Sequence, residues 1–226
     1  MTAPAIPDDA GLRVVGDVHG DARALAAAVA TDRFVVQLGD LTDGGDDPTA
    51  ALRIALDLVE SGRGLFLLGN HDHKLARALG GRAVRIDAGL GATLAALDPE
   101  LRRRTLAAIG VAPAWLAWRN AFFVHGAFHP AMLHRAAPLG PVRVEPVLSR
   151  ALFGQTTGRM QPDGYPERVL DWVDTIPGGL TVYCGHDWRS HDGRPWVKHG
   201  AAGGAAVFLD TGAGKGGHLS WIDMEE

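Results

Sequence analysis

Six short apolar runs, none strictly alternating, each end on a polar residue beside a glycine: LRVVGD (12–17), FVVQLGD (34–40), GLFLLGNHD (64–72), AFFVHG (121–126), LTVYCGH (180–186) and AVFLDTG (206–212). Runs of this length without alternation predict strands buried on both faces. Between the first three the period becomes helical. Asp21 caps ARALAAAVA, Asp47-Pro48 opens TAALRIALDLVES, and DHKLARALGG stops on glycine. Further on, Asp98-Pro99 starts ELRRRTLAAIG, and PERVLDWVDTIPGG reads as a helix with a proline start and a Pro-Gly stop. Strand and helix in alternation at the front predict βαβ units with right-handed crossovers. The back half, with PWVKHG, AVFLDTG and HLSWIDM, reads as mixed or antiparallel strands. The expected fold class is α/β, two mixed sheets with helices outside. Residues 127–165, rich in Pro and Gly, read as an excursion over the active edge.

Length and composition narrow this picture. With 226 residues, 46% hydrophobic and 21% charged, the chain is of a size for one well-buried core. We expect a single domain over 1–226, with 1–11 a flexible N-terminal segment. No apolar stretch approaches the ~20 residues that span a bilayer, and MTAPAIPDDAG lacks the basic and apolar regions of a secretory signal. A lone cysteine, Cys184, excludes an intramolecular disulfide and fits a cytoplasmic protein. The formal charge of −4 argues against gripping long nucleic acid through a basic face, while a small phosphate substrate stays compatible.

The chemistry lies at the strand ends. In open α/β folds ligands bind outside the carboxyl ends of the strands. Here those ends carry Asp17, His19, Asp40, Asn70, His71, Asp72, His125, His186 and Asp210. Oxygen and imidazole donors without a thiolate suit Mn, Fe or Zn. Asp17 and His19, two apart, can project to one side of a strand end. Any one of these residues could be a turn or a satisfied hydrogen-bonder, but the whole set at six strand ends points to metal chemistry. Arg102–Arg104 read as a solvated helix face, and His73, His129, His134, His191, His199 and His218 as surface or loop histidines, with His73 and His129 able to line a mouth.

GDVHG (16–20), GDLTDGG (39–45), GNHD (69–72), VHG (124–126) and GH (185–186) resemble, in order, the signature blocks of the calcineurin-like metallophosphoesterases, in their protein-phosphatase-like branch. Within that family GNHDHKLARALGGR, FGQTTGRMQPDGYPERVLDW and LDTGAGKGGHLSW look closest to the phosphatase domain of bacterial polynucleotide kinase-phosphatases. The resemblance implies an αββα four-layer sandwich and two divalent metal ions, Mn²⁺ first, with Fe, Zn, Ni or Co as alternatives. It assigns one metal to Asp17, His19 and Asp40 with Asp210, and the other to Asp40, Asn70, His125 and His186. Where the wider superfamily often has a second histidine after GH, this chain has Trp188, which makes Asp210 the replacement ligand. His71 is then the acid for the leaving oxygen and Asp72 the group that holds its ring. Two cations ~3.5–4 Å apart sharing a hydroxide would attack phosphorus in line.

The implied enzyme is a phosphatase or phosphodiesterase acting on monoesters or diesters, with a nucleotide or nucleic-acid end as substrate and neither a membrane nor an obligate protein partner. The alternatives are a serine/threonine protein phosphatase, a bis(5'-nucleosyl)-tetraphosphatase, and a non-catalytic module on the same scaffold. Gly44 stands where the branch carries a phosphate-gripping arginine, which implies weaker monoester binding and good diester turnover. Arg168, then Arg159, are the remaining arginines that the resemblance places at the phosphate.

Overall fold

The computed structural model describes residues 5–9, 11–162 and 164–224. In chain order the strands and helices are β1 (Leu12–Val15), α1 (Ala22–Ala28), β2 (Phe34–Gln37), α2 (Pro48–Glu60), β3 (Gly64–Phe66), α3 (Asn70–Leu79), α4 (Ala88–Ala96), α5 (Pro99–Ile109), β4 (Trp115–Trp118), β5 (Ala121–Val124), α6 (Pro146–Phe153), β6 (Thr156–Met160), β7 (Pro166–Arg168), β8 (Thr181–Cys184), β9 (Trp196–His199), β10 (Ala205–Phe208) and β11 (Trp221–Met224). The first sheet runs β11-β1-β2-β3 and the second β4-β5-β8-β10-β9, with β6-β7 a separate hairpin. β1, β2 and β3 are parallel, as the alternating front half predicts, and β11 closes their edge antiparallel. In the second sheet β5, β8 and β10 are parallel while the edge strands β4 and β9 are antiparallel.

Alternate residues along each strand enter different layers. Leu12, Val14, Val36, Leu65, Phe123 and Val207 form the dry layer between the sheets. Val15, Val35 and Phe66 instead join Leu25, Leu52, Leu56 and Leu75 from the helices, and Val182, Cys184 and Phe208 join Leu148, Leu152 and Trp172. Both faces of each sheet are thus covered, which is why the runs do not alternate. The helices start where the sequence caps them: Asp21, Asp47 and Asp98 each accept from the backbone amide three residues on.

Several expectations are corrected. PERVLDWVDTIPGG is not an α-helix: Pro166–Arg168 is a strand and Asp171–Thr175 a single 3-10 turn, since β7 pairs with β6 in the hairpin. The excursion contains α6, whose amphipathic face packs Leu148 and Leu152 inward. Of the N-terminal segment expected to be flexible, residues 1–4 and 10 lie outside the described residues. Among its described residues, Ile6 is buried between the sheets and the Asp8 carbonyl accepts from Arg119. Arg104 is not merely solvated, because its guanidinium bonds Asp57 and Glu60 at 2.8 Å each and ties α5 to α2.

Candidate metal centre

All nine strand-end residues gather at the carboxyl edge of the two sheets. Asp17 and His19 follow β1, Asp40 follows β2, and Asn70, His71 and Asp72 open α3 after β3. His125 follows β5, His186 follows β8 and Asp210 follows β10. Three overlapping groups result, Asp17–His19–Asp210, His19–Asp40–His71 and Asp40–His125–His186, in each of which one ligand atom per residue lies within 4.8 Å of the others. Asp40 belongs to two of them. Its Oδ2 is 3.4 Å from His125 Nε2 and 3.8 Å from His19 Nε2, and Asn70 Oδ1 is 2.9 Å from His125 Nε2.

The backbone is bent to make this gathering possible. His19, Asp40, Asp43 and His186 have φ of 45°, 58°, 70° and 63°, a region side-chain-bearing residues seldom occupy. Close approach does the rest. A Cβ on Gly185 would sit 1.9 Å from Asp17 Oδ1, and one on Gly69 would sit 2.3 Å from Asp40 Oδ1. The glycines beside the ligands are therefore required by the carboxylates they border.

Each imidazole is oriented through its other nitrogen. His125 Nδ1 lies 2.9 Å from the Leu38 carbonyl and His19 Nδ1 lies 3.1 Å from that of Thr42, so both rings donate there and turn Nε2 inward. Burial holds the His19 pKa down to about 4. Burial, helped by the His125 and Arg168 charges, holds His186 well below its ordinary value. Burial opposes protonation of His125 as well, but Asp40 and Asp17 beside it push its pKa up to about 10. Burial raises Asp17 and Asp210. Burial would raise Asp40 too, yet His125 and His71 outweigh it and hold that carboxyl well below its usual range. Four carboxyl groups buried this close together, with two imidazoles held neutral beside them, make a place that favours added positive charge.

The residues fit divalent cations on a further observation. His186 Nε2 is buried and has no hydrogen-bond partner among the described residues, a costly state for a lone pair unless a ligand takes it up. Trp188 lays its indole on Gly212, two residues after Asp210, and Asp210 shares a ligand group with Asp17 and His19.

One assignment is overturned. Asp72 does not hold the His71 ring: its carboxylate accepts from the backbone amides of Asp40 (2.7 Å), Leu41 (3.1 Å) and Gly69 (3.0 Å). Burial first, and the Asp40 charge second, raise its pKa to about 6. The partner of His71 is Asp43, whose Oδ2 is 2.8 Å from Nδ1 and whose Oδ1 accepts from Thr93 at 3.1 Å. Asp43 has no role assigned from the sequence, and its proximity to His71, 28 residues away, arises only on folding. Lys215 was also missed: its Nζ lies 2.8 Å from His19 Nε2. Arg168 reaches the site's rim. Its guanidinium lies beside Gly154, donates to the Phe153 carbonyl, and lowers the His186 pKa. Arg159 is engaged elsewhere, in an exposed ion pair with Glu167 at 2.8 Å. His73 is buried rather than at a surface, with Nε2 3.1 Å from the Val142 carbonyl, and His129 caps the 3-10 turn Pro130–His134.

Known proteins resemble this chain in sequence and in fold. The family model described as calcineurin-like phosphoesterase matches residues 12–144. The bis(5'-nucleosyl)-tetraphosphatase PrpE (asymmetrical) of Halalkalibacterium halodurans is 28% identical over 234 residues, covering 94% of this chain and 89% of the relative. Its counterpart from Bacillus subtilis is 30% identical over 202 residues, covering 86% and 77%. Among solved structures, a putative diadenosine tetraphosphatase superposes with a TM-score of 0.67 at 20% identity, over 98% of this chain and 92% of that one. A protein serine/threonine phosphatase from Saccharomyces cerevisiae gives 0.62 at 13% identity, over 97% and 81%. At these identities the two structures speak for the fold alone.

Proposed function

Since the chain belongs to the calcineurin-like phosphoesterases, metal-dependent hydrolases of phosphoester bonds, we propose that it cleaves dinucleoside polyphosphates with two divalent cations, manganese being the first to test. The observation that carries this reading is the overlap of the three ligand groups through His19 and Asp40. Asp17, His19, Asp40 and Asp210 would hold one cation, and Asp40, Asn70, His125 and His186 the other. When bound, such ions neutralise phosphate oxygens and make water a competent nucleophile at neutral pH.

The chain's own residues supply the rest. His71, turned toward the cluster with Nδ1 held by Asp43, donates a proton from Nε2 to the leaving oxygen. Burial works against its protonation, but Asp40 and Asp43 raise its pKa above the ordinary value. Asp72, by gathering three amides, sets the positions of Asp40 and of the start of α3. Arg168 reaches a substrate phosphate from the His186 side. The substrate class is supported by relatives named bis(5'-nucleosyl)-tetraphosphatases that this chain matches along most of their length. The fully buried Cys184 thiol suits a reducing cytoplasm.

The test is hydrolysis of diadenosine tetraphosphate by the chelated, then Mn²⁺-reloaded, protein, with products separated by ion exchange. Unequal cleavage to ATP and AMP, absent before reloading, is the expected result. Faster turnover of a 3'-phosphorylated oligonucleotide or a phosphoserine peptide would replace this substrate class by another.

A further inference from the structure

We infer that Lys215 is a second cationic residue, in addition to Arg168, that binds the substrate's reacting phosphate, approaching from the loop after β10 beside Gly44. The inference rests on the phosphoesterase reading above and adds a binding residue to the same site. Lys215 carries an exposed stem, yet its ammonium lies 2.8 Å from His19 Nε2, inside the ligand cluster. Its charge acts on Asp17 and Asp210 as well as on His19 and His71, so it faces the centre and not solvent alone.

The loop that carries it is tightly closed. Lys215 N and Gly217 N both donate to the Gly212 carbonyl, at 3.0 and 2.9 Å, and His218 N donates to Thr211 O at 3.0 Å, while Thr211 Oγ1 returns a bond to His218 O at 2.6 Å. The loop is also pinned across the site, where Gly45 N donates to Gly214 O at 3.0 Å. The anchor of the lysine is thus a fixed point on the wall formed by Gly44 and Gly45. The stem provides reach, and the backbone provides aim.

Gly44 explains why the cation comes from this loop. Its φ is not positive, so backbone conformation does not demand glycine there. Space does: a Cβ would lie 2.8 Å from His19 O and 3.3 Å from Gly214 O. No longer side chain grows from that position without moving the β1–α1 turn or the lysine loop. The loop occupies the space where such a side chain would have to pass, and it brings its own ammonium.

His19 Nε2 cannot serve both Lys215 and a metal, because one lone pair makes one bond. With that nitrogen given to a cation, the ammonium needs another acceptor within the radius of its four-carbon stem. A phosphate at the centre has anionic oxygens to offer, and a lysine binds them as a point charge without the fixed fork of an arginine. Arg168 stands on the His186 side and Lys215 on the His19 side, so the phosphate is flanked by one cationic side chain from the β6-β7 hairpin and one from the loop after β10. A dianionic monoester phosphate gains more from this than a diester does, and an internal phosphate of a polyphosphate chain gains through its own anionic oxygens.

The test uses inorganic phosphate as probe on the Mn²⁺-loaded protein, read by calorimetry, with metal content measured in parallel. Lys215→Met should weaken phosphate binding about tenfold or more, as loss of a charge-assisted bond does, at undiminished metal content, and Lys215→Arg should restore most of it. On aryl phosphates, Lys215→Met should raise KM for the monoester more than for the bis-aryl diester. Unchanged phosphate affinity in Lys215→Met, with tighter metal binding, would show that the lysine only competes for His19 and would overturn the inference. Because phosphate binding is read without turnover, a protein inactive on diadenosine tetraphosphate still tests Lys215, and an active one indifferent to Lys215→Met loses this inference alone.

Discussion

At the scale of single residues, two aspartates that the sequence presents alike have separate duties. Asp43 touches the His71 ring and Asp72 touches only backbone amides. Asp43→Asn keeps one acceptor for Nδ1 but removes the negative charge, so the ring loses the support of its charged form. We expect kcat to fall roughly tenfold or more on alkyl esters, less on nitrophenyl esters that leave without a proton, with little change in Tm. His71→Ala should lose about 10²–10⁴-fold on the same alkyl substrates. Asp72→Asn should act on stability instead. An asparagine cannot accept from three amides with both side-chain atoms, and a buried donor facing donors costs about 1–3 kcal/mol. Thermal unfolding of the two variants side by side decides the matter: a larger Tm loss for Asp43→Asn would reverse these roles. Both residues sit near GD and GNHD blocks that can be read off the sequence. Which of them faces the histidine cannot, since the two pairings differ only in where a loop with Asp43 at φ 70° turns its side chain.

Among the elements, β11 is the one whose place local pattern does not announce. It comes last in the chain yet pairs with β1, and this closure is fastened by side chains. Asp223 accepts from Arg13 at 2.6 and 2.8 Å, and Arg13 also lies over the Trp221 ring at 5.4 Å. The Arg13 hydrogen bond holds the Asp223 carboxyl below its ordinary value of 3.8. A carboxyl depressed in the folded state contributes stability above its unfolded pKa, and that contribution is lost as pH falls through the folded value. Asp223→Asn should therefore cost about 0.5–1 kcal/mol at neutral pH, modest because the pair is part-exposed. The gap from wild type should narrow as pH falls below the ordinary carboxyl value and through the lower folded one, as chemical denaturation at a series of pH values will read. A gap that persists at acid pH would assign the effect to packing on Trp221. The correction at PERVLDW belongs to this scale too. Its helical signals are genuine, but the hairpin with β6 offers Pro166–Arg168 ladder bonds that a short isolated helix does not match.

For the whole molecule, the centre is the place where folding has concentrated unfavourable charge. Asp17, Asp40, Asp72 and Asp210 are all buried at one edge, with His125 and Lys215 among the few positive groups near them. Divalent cations should relieve this, so Mn²⁺ should raise Tm in a concentration-dependent way, by an amount equivalent to about 2.7 kcal/mol at a hundredfold excess over Kd. Chelation should reverse it, and Asp40→Ala, which removes the residue common to two ligand groups, should abolish most of the shift. An unshifted Tm in the wild type would remove the metal centre from the account. The sequence by itself determined which residues stand at the strand ends: apolar runs buried on both faces must stop where a polar residue meets a glycine, and that local rule placed the nine polar residues and the parallel order of the front strands. It also determined most helix starts, because Asp and Asp-Pro caps act within one turn. Only the tertiary structure decided which aspartate serves His71, that Arg159 is spent on Glu167 while Arg168 reaches the rim, and that Lys215 enters the centre beside Gly44. Those outcomes depend on contacts between segments far apart in the chain and on positive-φ turns that aim their side chains, and neither the periodicity nor the spacing of residues encodes a direction in space.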